Sequence, residues 1–569
     1  MKQVASKLLA KHLSLSADAI EALLEIPKDA QHGDLALPSF TLAKKLRKDP
    51  AEIARELAAQ LSSSLKAVKE FEKVEAAGPY VNFFVNKQLL AQQTLKVILK
   101  QRKKYGSANM QRKVVIEFPS PNTNKPLHLG HARNIVLGQA LASILEFIGN
   151  KVHVLNLYND RGVHICKSML AYEKFGRGNS PQKAKRKSDH FVGDYYVRFA
   201  QEAEKDKHLE EEAQEMLKKW EQGDKKTLAL WKKMNRWAYT GFEETYKLFE
   251  LKIEKNYYES ALYDKGREIV LEGVKKGLVK KKEDGALYID LTSDGLGEKI
   301  LLRADGTSIY ITQDLYLALA KYKEFNFDKS LYVCAAEQDY HFKALFKILG
   351  LLEHSLAQRL IHVSYGMVNL ESGRMKSREG NVVDSDDMIA EMRELASHEI
   401  VQRHGELGKK ETNKRAHAIA MAALRYYFLK VERTRDVTFK PEESLAFEGD
   451  TGPYLLYTYA RARSILRKAK ETKKKTHRLN TLQMTDKEKQ LILHLSKFPE
   501  TVHAAHASLA PNLIANYAFQ LAQLFNEFYH THPVIGSPEE RFRLLLVDAS
   551  SQVLKNALAL LNISVLEKM

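Results

Sequence analysis

Two short clusters in this chain hold side chains whose type and spacing suit phosphate chemistry. The first is His128-Leu129-Gly130-His131, which opens a long helical stretch after the strand-type run Val114 to Phe118 and the loop PSPNTNKP. Strand, loop and helix in that order place both imidazoles at a helix N-terminus, where free N–H groups and a partial positive charge favour an anion. Gly130 leaves room there for a base or ribose, and the imidazoles can hydrogen-bond phosphate oxygens. The string alone is a weak signal, since a histidine at a helix start is more often a cap. Its place after a strand gives it weight. The second cluster, Arg374-Met375-Lys376-Ser377-Arg378, runs on through Glu379-Gly380-Asn381 just past the last strand-type segment. A glycine-flanked basic loop at the carboxyl edge of a parallel sheet can fold over a triphosphate, although read alone it is equally a solvated loop.

Acidic residues form a third group. Glu117 ends an apolar strand, where an unpaired carboxylate is costly. Tyr310 and Asp314 stand four positions apart at the start of a helical stretch, so both can face one pocket. Taken singly, each acid reads as a surface or capping residue.

The elements that must position these groups follow from patterning. Residues 1–110 read as a small α+β domain, with helices near 3–13, 38–48 and 51–61 and a strand pair turning at Gly78-Pro79. Residues 111–175 supply strand, helix and strand, a βαβ pattern that implies a parallel sheet. Residues 176–285 are rich in Lys and Glu and hold Trp220, Trp231 and Trp237, which predicts a helical insertion outside the sheet. Strands near 330–337 and 360–366 return to the sheet within 286–384, and 385–569 read as helical nearly throughout. The expected class is α/β: a Rossmann-type parallel sheet with a helical insertion, an N-terminal α+β domain and a C-terminal α-helical bundle.

Composition narrows the partners. At 569 residues the chain exceeds one core, and its 89 Lys+Arg against 71 Asp+Glu give a net charge of +18, which favours a polyanionic partner. No apolar run approaches the ~20 residues of a membrane span. The N-terminal stretch is broken by Lys7, Lys11 and His12, so an amphipathic helix and a cytoplasmic location are expected. Cys166 and Cys334 stand alone, which argues against disulfides and cysteine-type zinc sites.

Taken together, HLGH and the basic loop resemble the HIGH and KMSKS signatures of the class I aminoacyl-tRNA synthetases, with Arg374 and Ser377 standing where that family has its two lysines. VVIEFPSPNTNKPLHLGHARN, DGTSIYITQDL, AAEQDYHFK and FEGDTGPYLLYTYARARSIL resemble the arginine-specific branch, and the likeness runs from GDLALPSF to Met569. The resemblance implies ATP with Mg2+, L-arginine and tRNA(Arg) as partners, no zinc, an activation step that needs bound tRNA, and a monomer. It assigns His128, His131, Lys125 and Lys376 to catalysis, and adds Gly130, Met375 and Arg378 at ATP. It places Glu117, Asn122, Tyr310, Asp314 and Gln338 around arginine. For tRNA it implies an N-terminal elbow-binding domain with Asn82, Asn86 and Gln88, and a C-terminal anticodon-binding domain with Tyr454, Tyr457, Arg461, Arg463 and Met569. Lys125, three residues before His128, is expected to compensate for Ser377, with Lys376 and Arg378 the competing candidates. Two alternatives remain at this stage: a small-molecule nucleotidylyltransferase, which shares H-x-G-H, and a non-catalytic RNA-binding paralogue.

Overall fold

A computed structural model describes the chain except for residues 28, 65–67, 353, 371–372, 375–382, 405–406 and 472–483. Met375, Lys376, Ser377 and Arg378 therefore lie outside the described residues. The chain divides into two compact units.

One unit comprises Met1–Tyr105, Ile465–Lys497 and Gln523–Val553. Its three-stranded antiparallel sheet places Tyr80–Val85 between Leu35–Pro38 and Phe71–Ala77. The turn at Gly78, at φ 56°, is the one the Gly-Pro pair announces. Leu35–Pro38 is a strand that the helical reading of this region passes over; its four residues are too few to show a period of two. Pro50 begins the helix Pro50–Ser64, and the Asp49 carboxylate accepts from the Ala51 and Glu52 amides, at 2.9 and 3.1 Å. A buried Arg543–Glu488 pair, at 2.9 Å, ties two of this unit's helices together.

The other unit holds Gly106–Ser464, Phe498–Ala522 and Leu554–Met569. Its centre is a five-stranded parallel sheet built from β1 (Lys113–Glu117), β2 (Lys151–Tyr158), β3 (Lys255–Tyr258), β4 (Lys329–Ala335) and β5 (Leu360–Tyr365), in the order β5-β4-β1-β2-β3. The strands are short apolar runs because helices cover both faces. Stretch 176–285 is not wholly outside this sheet: β3 is its edge strand, paired in parallel with β2 from Leu155↔Lys255 to Tyr158↔Tyr258. A four-residue strand amid helices carries no periodic signal. The rest of the insertion is helical, and Phe191, Val192, Phe199, Leu209, Met216 and Met234 share one core with Ile165 and Met169. Within 286–384, Leu287–Leu291 and Gly297–Leu302 form a separate antiparallel sheet instead of further parallel strands.

Helix α1 (Leu129–Phe147) follows β1 and is buried along most of its length. α2 (Tyr310–Phe325) precedes β4, and α3 (Asp339–Leu352) joins β4 to β5. Arg133 on α1 is 2% exposed, and its guanidinium donates to the carbonyls of Gly366, Met367, Arg433 and Arg435 at 2.5 to 3.2 Å. Helices Ser385–His404 and Lys409–Leu429, which patterning groups with the C-terminal bundle, pack on α1. Val437–Thr438 adds a short parallel pairing to Val368–Leu370. Cys166 is buried and Cys334 half-buried, both unbridged.

Candidate active site

The carboxyl ends of the five strands deliver the site, as crevices of open parallel sheets do. At the nucleotide edge, His128 is the N-cap of α1 and accepts the Gly130 N–H at 3.1 Å through Nδ1. His131 Nδ1 accepts the His128 N–H, also at 3.1 Å, and the two rings lie 4.0 Å apart. A neutral imidazole that accepts at Nδ1 carries its proton on Nε2. Burial, with Lys125 nearby, pushes His128 down to about 3. Burial, with His128 and Lys125, holds His131 well below its usual value. Both rings are therefore neutral Nε2–H donors at physiological pH.

Two details of the sequence reading change here. The first-turn amides are not free: Leu129 N–H donates to Val383 O at 3.1 Å, Gly130 N–H to His128 Nδ1, and His131 N–H to His128 O at 2.8 Å. The first turn thus offers an anion its imidazole Nε2–H groups and the helix dipole, and not its amides. Gly130, expected to admit a base or ribose, instead admits His128, since a Cβ there would lie 3.0 Å from the imidazole Cε1. Lys125 is half-buried on the wall of a cavity of about 170 Å3 that His128, His190 and Asp384 also line.

Beside this edge lies a pocket of acids. Asp314, in the first turns of α2, takes His341 Nε2 on one carboxylate oxygen at 2.6 Å. Tyr310, one turn earlier, is 61% exposed. Glu259, directly after β3, is 3% exposed, and neither of its carboxylate oxygens has a hydrogen-bond partner among the described residues. Burial pushes its carboxyl up to about 8; Asp160 and Asp314 add to the rise, and Arg161 opposes it. Arg161 is itself engaged, paired with Glu221 and stacked 4.2 Å from the Tyr263 ring centre. Sequence reasoning missed Glu259 because it placed this stretch in the helical insertion. The available signal was Asn256-Tyr257-Tyr258 running into an acid, the same strand-to-carboxylate pattern as Glu117.

Glu117 differs from what was expected of it. Its carboxylate accepts from Lys321 at 2.9 Å, and that ammonium is wholly buried 3.9 Å from the Tyr332 ring centre. Burial works against a charged Lys321, but Glu117 and Tyr332 raise its pKa above the ordinary lysine value. Asn122 and Gln338 are both exposed, at the ends of β1 and β4.

The residues assigned to RNA separate by exposure. Asn82 is 2% exposed inside the antiparallel sheet, and Asn86 caps the helix Lys87–Gln101 by accepting the Leu89 N–H at 3.0 Å; Gln88 is exposed. Tyr457 is exposed, and Arg461 lies over it at 4.6 Å. Tyr454 packs edge-on against Phe519, Arg463 pairs with Glu567 at 2.9 Å, and Met569 is half-buried.

Comparison with known proteins decides the family. The model of class I (R) tRNA synthetase catalytic domains matches residues 94–440, the DALR anticodon binding domain 455–569, and the arginyl-tRNA synthetase N-terminal domain 1–85. The chain belongs to the class I arginyl-tRNA synthetase family. It is 43% identical to the arginine–tRNA ligase of Treponema denticola, over 96% of this chain and 94% of that protein. The arginine–tRNA ligase of Borrelia hermsii is 40% identical over 100% and 99%. The solved arginyl-tRNA synthetase of Thermus thermophilus superposes with a TM-score of 0.83 at 26% identity, covering both chains in full. No helix among the described residues is long and apolar enough to cross a membrane.

Proposed function

We propose that this enzyme activates L-arginine with magnesium–ATP and transfers it to the 3′-terminal ribose of tRNA(Arg). The observation that carries the reading is a buried carboxyl, Glu259, whose oxygens have no hydrogen-bond partner among the described residues, within electrostatic reach of Asp314 and Tyr310, on the sheet edge that also bears the two neutral histidine donors. Arginine presents a planar, permanently charged guanidinium with five N–H donors, so its pocket needs fixed acceptors of opposite charge. Asp314 keeps one oxygen for it while His341 holds the other. Glu117 joins this recognition only if the guanidinium displaces Lys321; Asp314 and Glu259 need no such exchange. A neutral competitor supplies no charge to the Asp314 and Glu259 carboxyls and leaves Glu259 buried without a donor, and lysine lacks the planar fork.

In the first step a carboxylate oxygen of arginine attacks the α-phosphorus, the bond to the bridging oxygen breaks, and pyrophosphate leaves. His128 and His131 donate through Nε2–H to the phosphate oxygens as charge builds, and Lys125 answers the leaving pyrophosphate, with Lys376 the competing cation. In the second, a terminal ribose hydroxyl of tRNA attacks the acyl carbon and AMP departs. Asn122 and Gln338 hold the α-amino and carboxylate groups. Side-chain nucleophiles play no part; positioning and charge do the work. Exposed Gln88 and the Tyr457–Arg461 stack suit contacts to backbone and splayed bases. The reading takes the chain as a cytoplasmic monomer that uses no zinc.

The deciding assay is transfer of labelled arginine to tRNA, dependent on ATP. A non-catalytic paralogue would give no transfer, and a nucleotidylyltransferase would release pyrophosphate without charging RNA.

A further inference from the structure

The helical insertion reaches the nucleotide edge through a buried ionic cluster. Lys187, just before the helix Ser188–Lys205, places Nζ 2.5 Å from Asp386 Oδ2, 3.2 Å from Asp189 Oδ2 and 2.6 Å from Thr245 Oγ1. The Thr245 hydroxyl lies 3.0 Å from both Asp386 oxygens. His190 Nε2 stands 3.2 Å from Asp384 Oδ2 and 3.3 Å from Asp386 Oδ2. Little of this is wet: side-chain exposures are 18% for Lys187, 6% for His190, 11% for Asp384 and 14% for Asp386. Burial opposes a charged His190, yet Asp384 and Asp386 hold its pKa up at about 10. Burial likewise works against an ionised Asp386, but His190 and Lys187 pull its carboxyl below the usual range. Burial pushes the Asp189 carboxyl up, and against its own burial Lys187 is held above the ordinary lysine value by both Asp189 and Asp386, with Asp386 the nearer of the two.

Two acids of this cluster, Asp384 and Asp386, belong to the segment that lies on the histidine turn. Val383 O accepts the Leu129 N–H, Ser385 N–H donates to Leu127 O at 2.9 Å, and Asp384 bridges His128 as an antiparallel pair. The Asp386 N–H donates to Asp384 Oδ1 at 2.8 Å, which locks the two acids to each other. On the other side, Gly193 of the insertion helix sits so close to the Lys125–Pro126 loop that a Cβ would come within 2.5 Å of Pro126 Cδ. The turn that carries Lys125 and His128 is thus held between the insertion and residues 383–385, and the ionic cluster fastens the two holders together. A buried network of this kind adds little stability against an apolar replacement, but it penalises any arrangement that leaves one charge unmatched.

We propose that Lys187 and His190 are positioning residues for arginine activation: by seating Asp384 and Asp386 they fix the main chain on which the His128 imidazole is oriented. The inference rests on reading His128 as a phosphate donor. It gives the insertion a task in the chemistry of the first step, separate from arginine binding.

The test compares His190→Leu, which keeps bulk and removes the donor, with His190→Gln, whose amide N–H stands near the position of Nε2. Adenylate formation is followed by rapid quench, with arginine KM, tRNA binding and thermal melting measured on the same preparations. His190→Leu is expected to slow adenylate formation by about 10- to 100-fold, as a displacement of about 1 Å in a reacting geometry does. Arginine KM and tRNA affinity should stay within twofold, and His190→Gln should recover most of the rate. A wild-type rate in His190→Leu, a parallel loss in arginine KM, or no recovery in His190→Gln overturns the proposal. Should His190→Leu fail to fold, Thr245→Val, which removes one hydroxyl from Asp386, is read by the same criteria. His128→Ala run alongside separates the two ideas. An unimpaired His128→Ala sinks the phosphate-donor reading itself, whereas a slow His128→Ala beside a normal His190→Leu sinks only the positioning role.

Discussion

The nucleotide edge and the acidic pocket share one sheet but treat buried polarity in opposite ways. At the edge, the first-turn amides of α1 and both imidazole Nδ1 atoms are already engaged, and the charges behind them are matched by Lys187, His190, Asp384 and Asp386. In the pocket, the buried Glu259 oxygens have no hydrogen-bond partner among the described residues, and His341 takes one of the two Asp314 oxygens. The histidine turn is built before its ligand arrives, although Asp384 Oδ2 and Asp189 Oδ1 behind it have no hydrogen-bond partner among the described residues; the pocket is left open at a carboxyl, which suits a cation with several donors. Activation of a phosphate that any enzyme in the cell could meet calls for rigid geometry, and selection of one amino acid from many calls for a penalty that the right side chain removes.

The comparison is broken most severely by removing the finished donors. His128→Ala and His131→Ala should each lower the activation rate by about 10²- to 10³-fold in pyrophosphate exchange, with tRNA binding unchanged. Near-normal rates in both would mean that the neutral histidine pair does not meet the phosphates. On the pocket side, Asp314→Asn keeps shape and removes charge. It should raise arginine KM by about 10- to 100-fold, the span of a hydrogen bond to a charged group. An unchanged KM with a lower kcat would move Asp314 out of recognition. Lys125→Ala should slow adenylate formation by at least ~10-fold, or ~1.4 kcal/mol, and leave arginine KM alone. A silent Lys125→Ala beside a crippled Lys376→Ala would hand the pyrophosphate charge to the basic loop.

The smallest effect is the most diagnostic of the unfinished side. With its carboxyl pushed up to about 8, Glu259 should be largely protonated at pH 7 in the empty pocket and should ionise when arginine binds, so that binding releases a proton. Arginine KM should then fall as pH rises, by roughly fivefold between pH 7 and pH 8, and level off above. For the empty protein the sign is reversed. A carboxyl whose folded value is raised costs stability progressively as pH rises from its unfolded value through about 8. Glu259→Gln should flatten the KM profile. A wild-type profile without slope in this range would show that the carboxyl is ionised before arginine enters.

Much of the nucleotide edge was legible because its parts are contiguous: a strand, a loop and His128 to His131 can be read as one strand–loop–helix unit. The parallel sheet was legible in the same way except for β3, whose four residues carry too little pattern to stand out from the helices around it. With β3 went Glu259. The partner of Glu117 was out of reach for a different reason, since Lys321 is 204 residues away and nothing local marks a lysine as buried. Position also says nothing of environment at Asn82, which the sequence places in a segment that suits RNA contact and the fold buries to 2% exposure.

Arg133 has a consequence for the newborn chain. Among the described residues, its guanidinium donates to carbonyls that lie 233 to 302 residues downstream. While the ribosome has yet to deliver Arg435, α1 cannot settle against the sheet without stranding donors away from water. The catalytic half of the molecule is thus barred from closing early. A nascent chain halted before that point should keep α1 open to proteases and chaperones, and lysine, with one ammonium in place of a fork, could not gather the same four carbonyls from two segments of main chain when synthesis resumes.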